Sequence, residues 1–299
     1  MAPPLRGTQS LVGQMGWIWN RPALVLIEVG WRWLFGVPLL LLCWYEAQRI
    51  LGFMPAWSTG LSSVNWDNPW QAVAQLAAAW TLYQPHLLTV AWWLIPAAAA
   101  GWIIVSGLGR WMLLHRMEPG LAAGSPTPLI TLQAVWLASV IAIMAGWQYG
   151  LNWLAATYLH VTGEVDLIGY LIGIVILSLT TFVLWALISW VVSIAPLLVA
   201  MEGLSPRAAL LRSLHLGKPF TSKLVEINLV MGIVRLALIV LATVFSAAPL
   251  PFGEQLGADS LHIVWIASTL FYLIASDYFE VVRLKSFIEF WRVYRGHQI

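Results

Sequence analysis

The sequence predicts an all-α protein, a polytopic transmembrane helical bundle with six spans and short interfacial helices. Of its 299 residues, 60% are hydrophobic and only 9% are charged, whereas soluble domains carry about 25% charged residues. Because so few charges cannot cover a surface that faces water, a lipid bilayer is the solvent that fits this composition. The net charge is only +2. Such a chain has no broad basic face, so we expect no nucleic-acid partner.

Six apolar segments are long enough to cross a bilayer, since a helix needs roughly 20 residues to span about 30 Å of hydrocarbon. They are residues 23–45, 87–108, 129–154, 167–195, 224–248 and 261–282. We expect residues 1–299 to form a single integral membrane domain. Two further helices are expected on the membrane surface: residues 8–19, and the stretch "WQAVAQLAAAW" that follows the helix start at Asp67, Asn68 and Pro69.

The distribution of lysine and arginine predicts the topology. With the N-terminus in the cytoplasm, Arg49 is the only basic residue of an outer loop, and Arg32 and Arg235 lie within spans. The other basic residues are on the inner side: Arg6, Arg21, Arg110, Arg116, Arg207, Arg212, Lys218, Lys223, Arg283, Lys285, Arg292 and Arg295. This is the positive-inside pattern. It predicts a multi-pass protein of the bacterial inner (plasma) membrane with both termini in the cytoplasm.

A polar segment, residues 195–218, connects the fourth and fifth spans on the inner side. Ser205 is a typical N-cap and Pro206 suits the first helical position, so we expect a helix over residues 205–216. Its apolar stripe is Leu210, Leu211 and Leu214. The polar residues assigned to this inner-surface helix are Glu202, Ser205, Arg207, Arg212 and Lys218. Its basic side chains are expected to meet anionic headgroups.

The same segment resembles a signature of bacterial six-helix membrane proteins, a group that includes the membrane domain attached to glycerophosphoryl diester phosphodiesterases. The matching residues are Pro196, Glu202, Ser205, Ala209, Leu210, Arg212, Ser213 and Lys218. The resemblance implies a six-helix membrane fold. It does not imply phosphodiesterase activity, because in that group the chemistry belongs to a separate soluble domain for which this chain has no room.

Charged residues inside the predicted spans are the best candidates for a functional site, since each costs about 2.5–3.5 kcal/mol at a span centre on insertion scales. The predicted intramembrane polar cluster contains Glu28, Arg32, Glu226, Asn228, Arg235, Asp277 and Glu280. Glu28 and Arg32 have i, i+4 spacing. We expect Arg235 to contact an acid, with Asp277 as the first candidate and Glu28 as the second. The cluster is interpreted as a buried ion-pair network, a polar pathway or, third, a catalytic site.

No catalytic residue or metal site is predicted. The sequence lacks the HExxH, Walker A, GxGxxG and GxSxG motifs, and it has one cysteine, Cys43. His86, His160 and His262 fall near outer span ends and are the candidate ligands of a metal or tetrapyrrole, but no pair has i, i+4 spacing, so we expect no cofactor. The chain is tryptophan-rich, with 20 residues that are typical of an aromatic belt. The alternative is stacking against a pigment, quinone or carotenoid by the deeper Trp31, Trp33, Trp92, Trp93, Trp102, Trp185 and Trp265.

Two functions remain open at this stage, with a membrane enzyme third. The first is a non-catalytic inner-membrane scaffold or accessory subunit, in contact with the lipid bilayer and with other membrane subunits, that binds lipid or another hydrophobic ligand. The alternative is a small transporter or permease that uses the polar cluster. Transport would require a polar cavity at the midplane and discontinuous spans. Continuous helices with paired charges would favour the scaffold.

The predicted topology can be tested with reporter fusions. A fusion after residue 164 should report the outer side and one after residue 299 the cytoplasmic side, because three spans separate the two points. Fusions to alkaline phosphatase and to a fluorescent protein give opposite signals on the two sides. If both points report the same side, the predicted number of spans is wrong.

Overall fold

The computed structural model describes residues 7–55, 64–65, 68–120, 124–159, 166–215, 218–247 and 258–296. Within these ranges all regular secondary structure is helical, which confirms the all-α prediction. The helices are α1 (Gly7–Trp19), α2 (Pro22–Phe53), α3 (Pro69–Met117), α4 (Thr127–Tyr158), α5 (Leu167–Glu202), α6 (Pro206–Leu214), α7 (Lys218–Ala247) and α8 (Ala258–Gly296).

Six of these helices, α2, α3, α4, α5, α7 and α8, are long and apolar enough to cross a membrane. This agrees with the predicted number of spans, and the chain is a multi-pass helical membrane protein. The two short helices, α1 and α6, fall where the sequence predicts interfacial helices. Most membrane-spanning helices extend beyond the predicted apolar cores, since polar residues at their ends continue the same backbone hydrogen bonding.

The largest difference from the predicted elements is in α3. We expected a surface helix followed by a separate span at 87–108, but both belong to one continuous helix. Asn68 caps it, with its side-chain oxygen 3.3 Å from the amide nitrogen of Gln71. Pro85 and Pro96 lie inside without ending it. Each proline removes only one N–H donor, and the Ala- and Leu-rich sequence before Pro85 contains no other helix stop.

The corner between α5 and α6 follows the predicted capping residues. Gly203 ends α5 with a φ of 66°, a left-handed conformation that glycine adopts without steric cost. Ser205 then caps α6, since its hydroxyl oxygen accepts from the amide of Ala208 at 3.4 Å, and Pro206 takes the first helical position. The helix ends at Leu214, and the last residue of the expected helix, Leu216, lies outside the described residues.

The chain divides into two compact units, Met1–Gly30 with Gly107–Ile299, and Trp31–Ser106. In the first unit the core gathers side chains from α1, the end of α3, the start of α4, the end of α5, α6, α7 and the second half of α8. Helices α4 and α5 approach closely, because a Cβ at Gly150 or Gly173 would lie within 3 Å of a leucine side chain.

The second unit has a small core of its own, formed by Ile50, Ala79, Tyr83 and Val90. The Tyr83 hydroxyl donates to the carbonyl oxygen of Met54 at 2.8 Å and joins α3 to the end of α2. Trp102 packs against two aromatic residues of α2, with ring centroids 5.7 Å from Trp31 and 5.4 Å from Phe35. Aromatic contacts therefore join the two membrane-spanning helices of this unit.

Candidate functional site

Three carboxylate side chains are buried in the first unit: Glu28 on α2, and Asp277 and Glu280 on α8. Asp277 and Glu280 are three residues apart, so they share a helix face. Arg283 follows at the same spacing. A carboxylate away from water is costly unless cations and hydrogen-bond donors surround it. The environment of these three acids therefore decides whether the region can fold.

Glu280 is the carboxylate with the most contacts to arginine. Its side chain forms ion pairs with Arg235 of α7 and with Arg283 of its own helix. Arg110 of α3 approaches the same group, with Nη2 3.5 Å from Oε1. Arg110 Nη2 also lies 3.8 Å from Glu28 Oε1. We name these five residues the Glu280 cluster. It links the end of α3, the middle of α7, the start of α2 and the second half of α8.

The Glu280 cluster and its neighbour Asp277 balance in charge. Asp277 interacts electrostatically with Arg110, so the region holds three arginines and three carboxylates. With every group ionised it is neutral. A neutral network avoids the much larger cost of burying an unpaired charge.

The acids and the arginines of the cluster differ in exposure. The Glu28 and Glu280 side chains are almost fully buried, whereas the exposed fraction is 16% for Arg110, 25% for Arg283 and 42% for Arg235. The carboxylates therefore form the centre and the guanidinium groups the rim. Arginine suits this position because its long stem packs on apolar surface while its planar head keeps several donors available.

The other residues of the predicted polar cluster are placed differently. Glu226 and Asn228 are half-buried on α7, about two turns or more from Arg235 along the helix. Arg32 belongs to the second unit, where its guanidinium carbon lies 5.3 Å from the Trp31 ring centroid. Arg235 meets an acid as expected, but the structure pairs it with Glu280, which was not among the candidates. Glu280 is one turn beyond Asp277 and its longer side chain reaches the Arg235 guanidinium.

Arg110 and Arg283 were not predicted to belong to the cluster, because the positive-inside rule placed both on the inner side, just beyond the predicted ends of their spans. In the structure both lie within membrane-spanning helices and contact Glu280. One sequence signal could have found Arg283, since it stands at i, i+3 from Glu280 on a single helix. No comparable local signal exists for Arg110, because its partners are far away in sequence.

Residues of the predicted inner-surface helix form a second polar feature. Arg212 Nη1 lies 3.2 Å from Glu202 Oε2, so this ion pair connects α6 to the last residue of α5. Ala209 and Ser213 form the buried face of α6. Of the leucine stripe, Leu211 and Leu214 are exposed and Leu210 packs partly against the core. Arg207 is exposed. Lys218 is the first residue of α7.

The candidate histidines do not come together as a described site. His86 is exposed on α3, His262 lies in α8 and His160 falls outside the described residues. In the part of the chain that the structure describes, no group of three or more histidine, cysteine, aspartate or glutamate residues could hold a metal ion. The expected absence of a cofactor stays a prediction.

Comparison with known proteins gives no match: no family model, no curated protein and no solved structure corresponds to the chain. The resemblance of residues 195–218 to the six-helix membrane proteins therefore stays a prediction. The function is therefore inferred from the geometry of the chain itself.

The Glu280 cluster yields a prediction about stability. Glu280→Gln keeps the side-chain shape but leaves the arginines without their shared carboxylate, and breaking a buried pair costs about 3–5 kcal/mol. We expect a large loss of folded protein on gel filtration and a lower Tm in detergent. Glu118→Gln is the matched control, because Glu118 is partly exposed and its ion-pair partner, Arg292, is exposed. Such a surface pair contributes about 0–1 kcal/mol. Equal losses in the two variants would contradict the assignment.

Proposed function

We propose that this protein is a non-catalytic scaffold or accessory subunit of the bacterial inner membrane that holds lipid or a partner subunit against its apolar helices. The observation that supports this most is the pairing of buried charges inside continuous helices. Arg110, Arg235 and Glu280 each lie in the interior of an unbroken helix, and both arginines pair with Glu280.

Transport would favour a different geometry. Secondary transporters bind substrates near the midplane with discontinuous helices, whose free ends supply partial charges to the substrate or ion. In the described part of the chain, α7 and α8 pass the Glu280 cluster without a break. The prolines of α3 also leave that helix continuous. The ion pairs of the cluster therefore support a role in fixing helix packing.

The exposed surface supports a holding role. In α5, apolar side chains from Leu167 to Leu187 are mostly exposed on the faces away from α4, and the most hydrophobic window of this helix contains no buried residue. Apolar surface of this extent must be covered by lipid or by another protein. The spans face lipid, and the polar core is compact and lies at one end. These two features suit a subunit that holds other membrane subunits or lipid rather than one that performs chemistry.

A small transporter is the second candidate, and one observation favours it. The arginines at the rim of the Glu280 cluster are partly exposed, Arg235 most of all. A charged group at this depth in a bilayer normally faces protein or water. If water reaches Arg235, the cluster could take part in the movement of an anion or a proton.

Thiol labelling separates the two candidates. In a Cys43→Ser background, Val281→Cys places a thiol beside Glu280 at a position that is fully buried. We expect no reaction with a membrane-impermeant thiosulfonate reagent from either side of sealed vesicles. Arg207→Cys, at an exposed position of α6, is the positive control and should react from one side only. Rapid labelling of Val281→Cys would show a water-filled path and support the transporter.

The holding role has a direct readout in the same membranes. Mild-detergent purification followed by mass spectrometry of the retained molecules should find lipid or a membrane subunit in a fixed ratio to the chain. A folded protein that retains neither lipid nor a partner would contradict the scaffold proposal, whatever the labelling result.

A further inference from the structure

A single apolar groove is formed by three elements of the first unit: the end of α1, the start of α2 and the middle of α8. Its volume is about 500 Å³, within the range of about 300–1,000 Å³ that is typical of small-molecule sites. Trp19 and Pro22 line one side, and Phe271, Ile274 and Tyr278 line the other. The groove is therefore large enough for an extended apolar chain.

The groove opens towards the surroundings rather than into the core. Trp19, Phe271 and Ile274 are all exposed, and the last two lie in the membrane-spanning segment Ile263–Val293 of α8. The Tyr278 hydroxyl of the wall is already satisfied, because it donates to the carbonyl oxygen of Met15 at 2.9 Å. The Tyr278 ring meets Trp19 edge-on, with centroids 6.2 Å apart. The lining thus offers apolar contact and little else.

Positive charge lies beside the turn that begins the groove. Arg21 is next to the lining residue Pro22, its side chain is exposed, and its guanidinium carbon is 4.1 Å from the Trp17 ring. On the same ring, Lys285 Nζ lies 4.7 Å from the centroid, but this lysine is buried and paired with Glu289. Of these two cations, Arg21 is therefore the one that an incoming ligand can meet. Tryptophan and arginine in this arrangement are typical of the headgroup level of a bilayer.

We propose that this groove binds one anionic phospholipid, with an acyl chain against the α8 wall and the phosphate against Arg21. The occupant follows from the chemistry of the site, since an open apolar groove with a cation next to its lining residue Pro22 matches a molecule with an apolar tail and an anionic head. The N-terminal side of α2 is also the side that the basic residues place in the cytoplasm, where the leaflet carries anionic lipids.

The scaffold role proposed above includes the retention of lipid, and the groove gives that lipid a binding site and a headgroup class. The lipid site rests on the scaffold role only because it requires that the chain lie in a bilayer and retain lipid. The two can fail separately, because labelling of Val281→Cys reports on water near Glu280 and does not depend on a bound lipid.

The test is native mass spectrometry of the full chain, titrated with phosphatidylglycerol and with phosphatidylcholine. Arg21→Gln should reduce the preference for phosphatidylglycerol about fivefold, which corresponds to about 1 kcal/mol for one basic residue near the surface. Arg116→Gln removes the same charge from an exposed position in the last turn of α3, outside the groove, and should leave the preference unchanged. An unchanged preference in Arg21→Gln, or an equal loss in both variants, would overturn the headgroup assignment.

A second variant tests the groove itself. Ala275→Trp places a large ring in the groove, at a half-buried position of its wall, and should remove one tightly bound lipid of either class. The Tm of Ala275→Trp in detergent shows whether this variant folds. If it does not fold, the lipid preference of Arg21→Gln remains the test of the site. A folded Ala275→Trp protein with the full number of bound lipids would overturn the proposal. The proposal would also be overturned if this variant lost a bound neutral hydrophobic molecule or a bound protein chain, because the groove would then hold that molecule and not a phospholipid.

Discussion

The carboxylate of Glu280 is the constraint on which the first unit depends. An acid buried in so apolar a chain requires cations within contact distance, and three arginines from three helices supply them. Those contacts fix the positions of α3, α7 and α8 relative to this one group. Glu28 extends the network to the start of α2 through Arg110. The charges of this cluster therefore determine how these helices pack.

This arrangement also explains why the core lies at one end of the first unit. The buried side chains of α5 are confined to its last part, Val192–Ala200, and those of α8 to its second half. Elsewhere the same helices expose leucine, isoleucine and valine, which a bilayer accommodates without any need for packing partners. A polar, well-packed end and apolar extensions into lipid are compatible with a protein that supports or retains other molecules in the membrane.

Much of the fold could be predicted from composition and local signals, because spans and caps depend on short stretches of sequence. Ser205 and Pro206 mark a helix start by their own chemistry, and the structure has it there.

The site was harder to predict. Glu280 and Arg235 are 45 residues apart, so their pairing depends on how α7 and α8 dock. Arg110 illustrates the same limit, since the rule that predicts topology from basic residues counts it only as a charge of the inner side, although it lies near two buried acids. The continuous α3 shows that proline is a weak boundary signal inside a long apolar helix.

A double-mutant cycle on Arg110 and Glu280 tests the central claim most directly, because the two residues lie on different helices and their side chains are 3.5 Å apart. The free energy of unfolding would be measured in detergent for the wild type, Arg110→Gln, Glu280→Gln and the double variant. Residues in one buried network typically couple by about 0.5–3 kcal/mol. The structure predicts a favourable coupling energy within this range, with the double variant less destabilised than the sum of the single variants. Additive losses would show that Glu280 does not join α3 to α8, and would contradict the account.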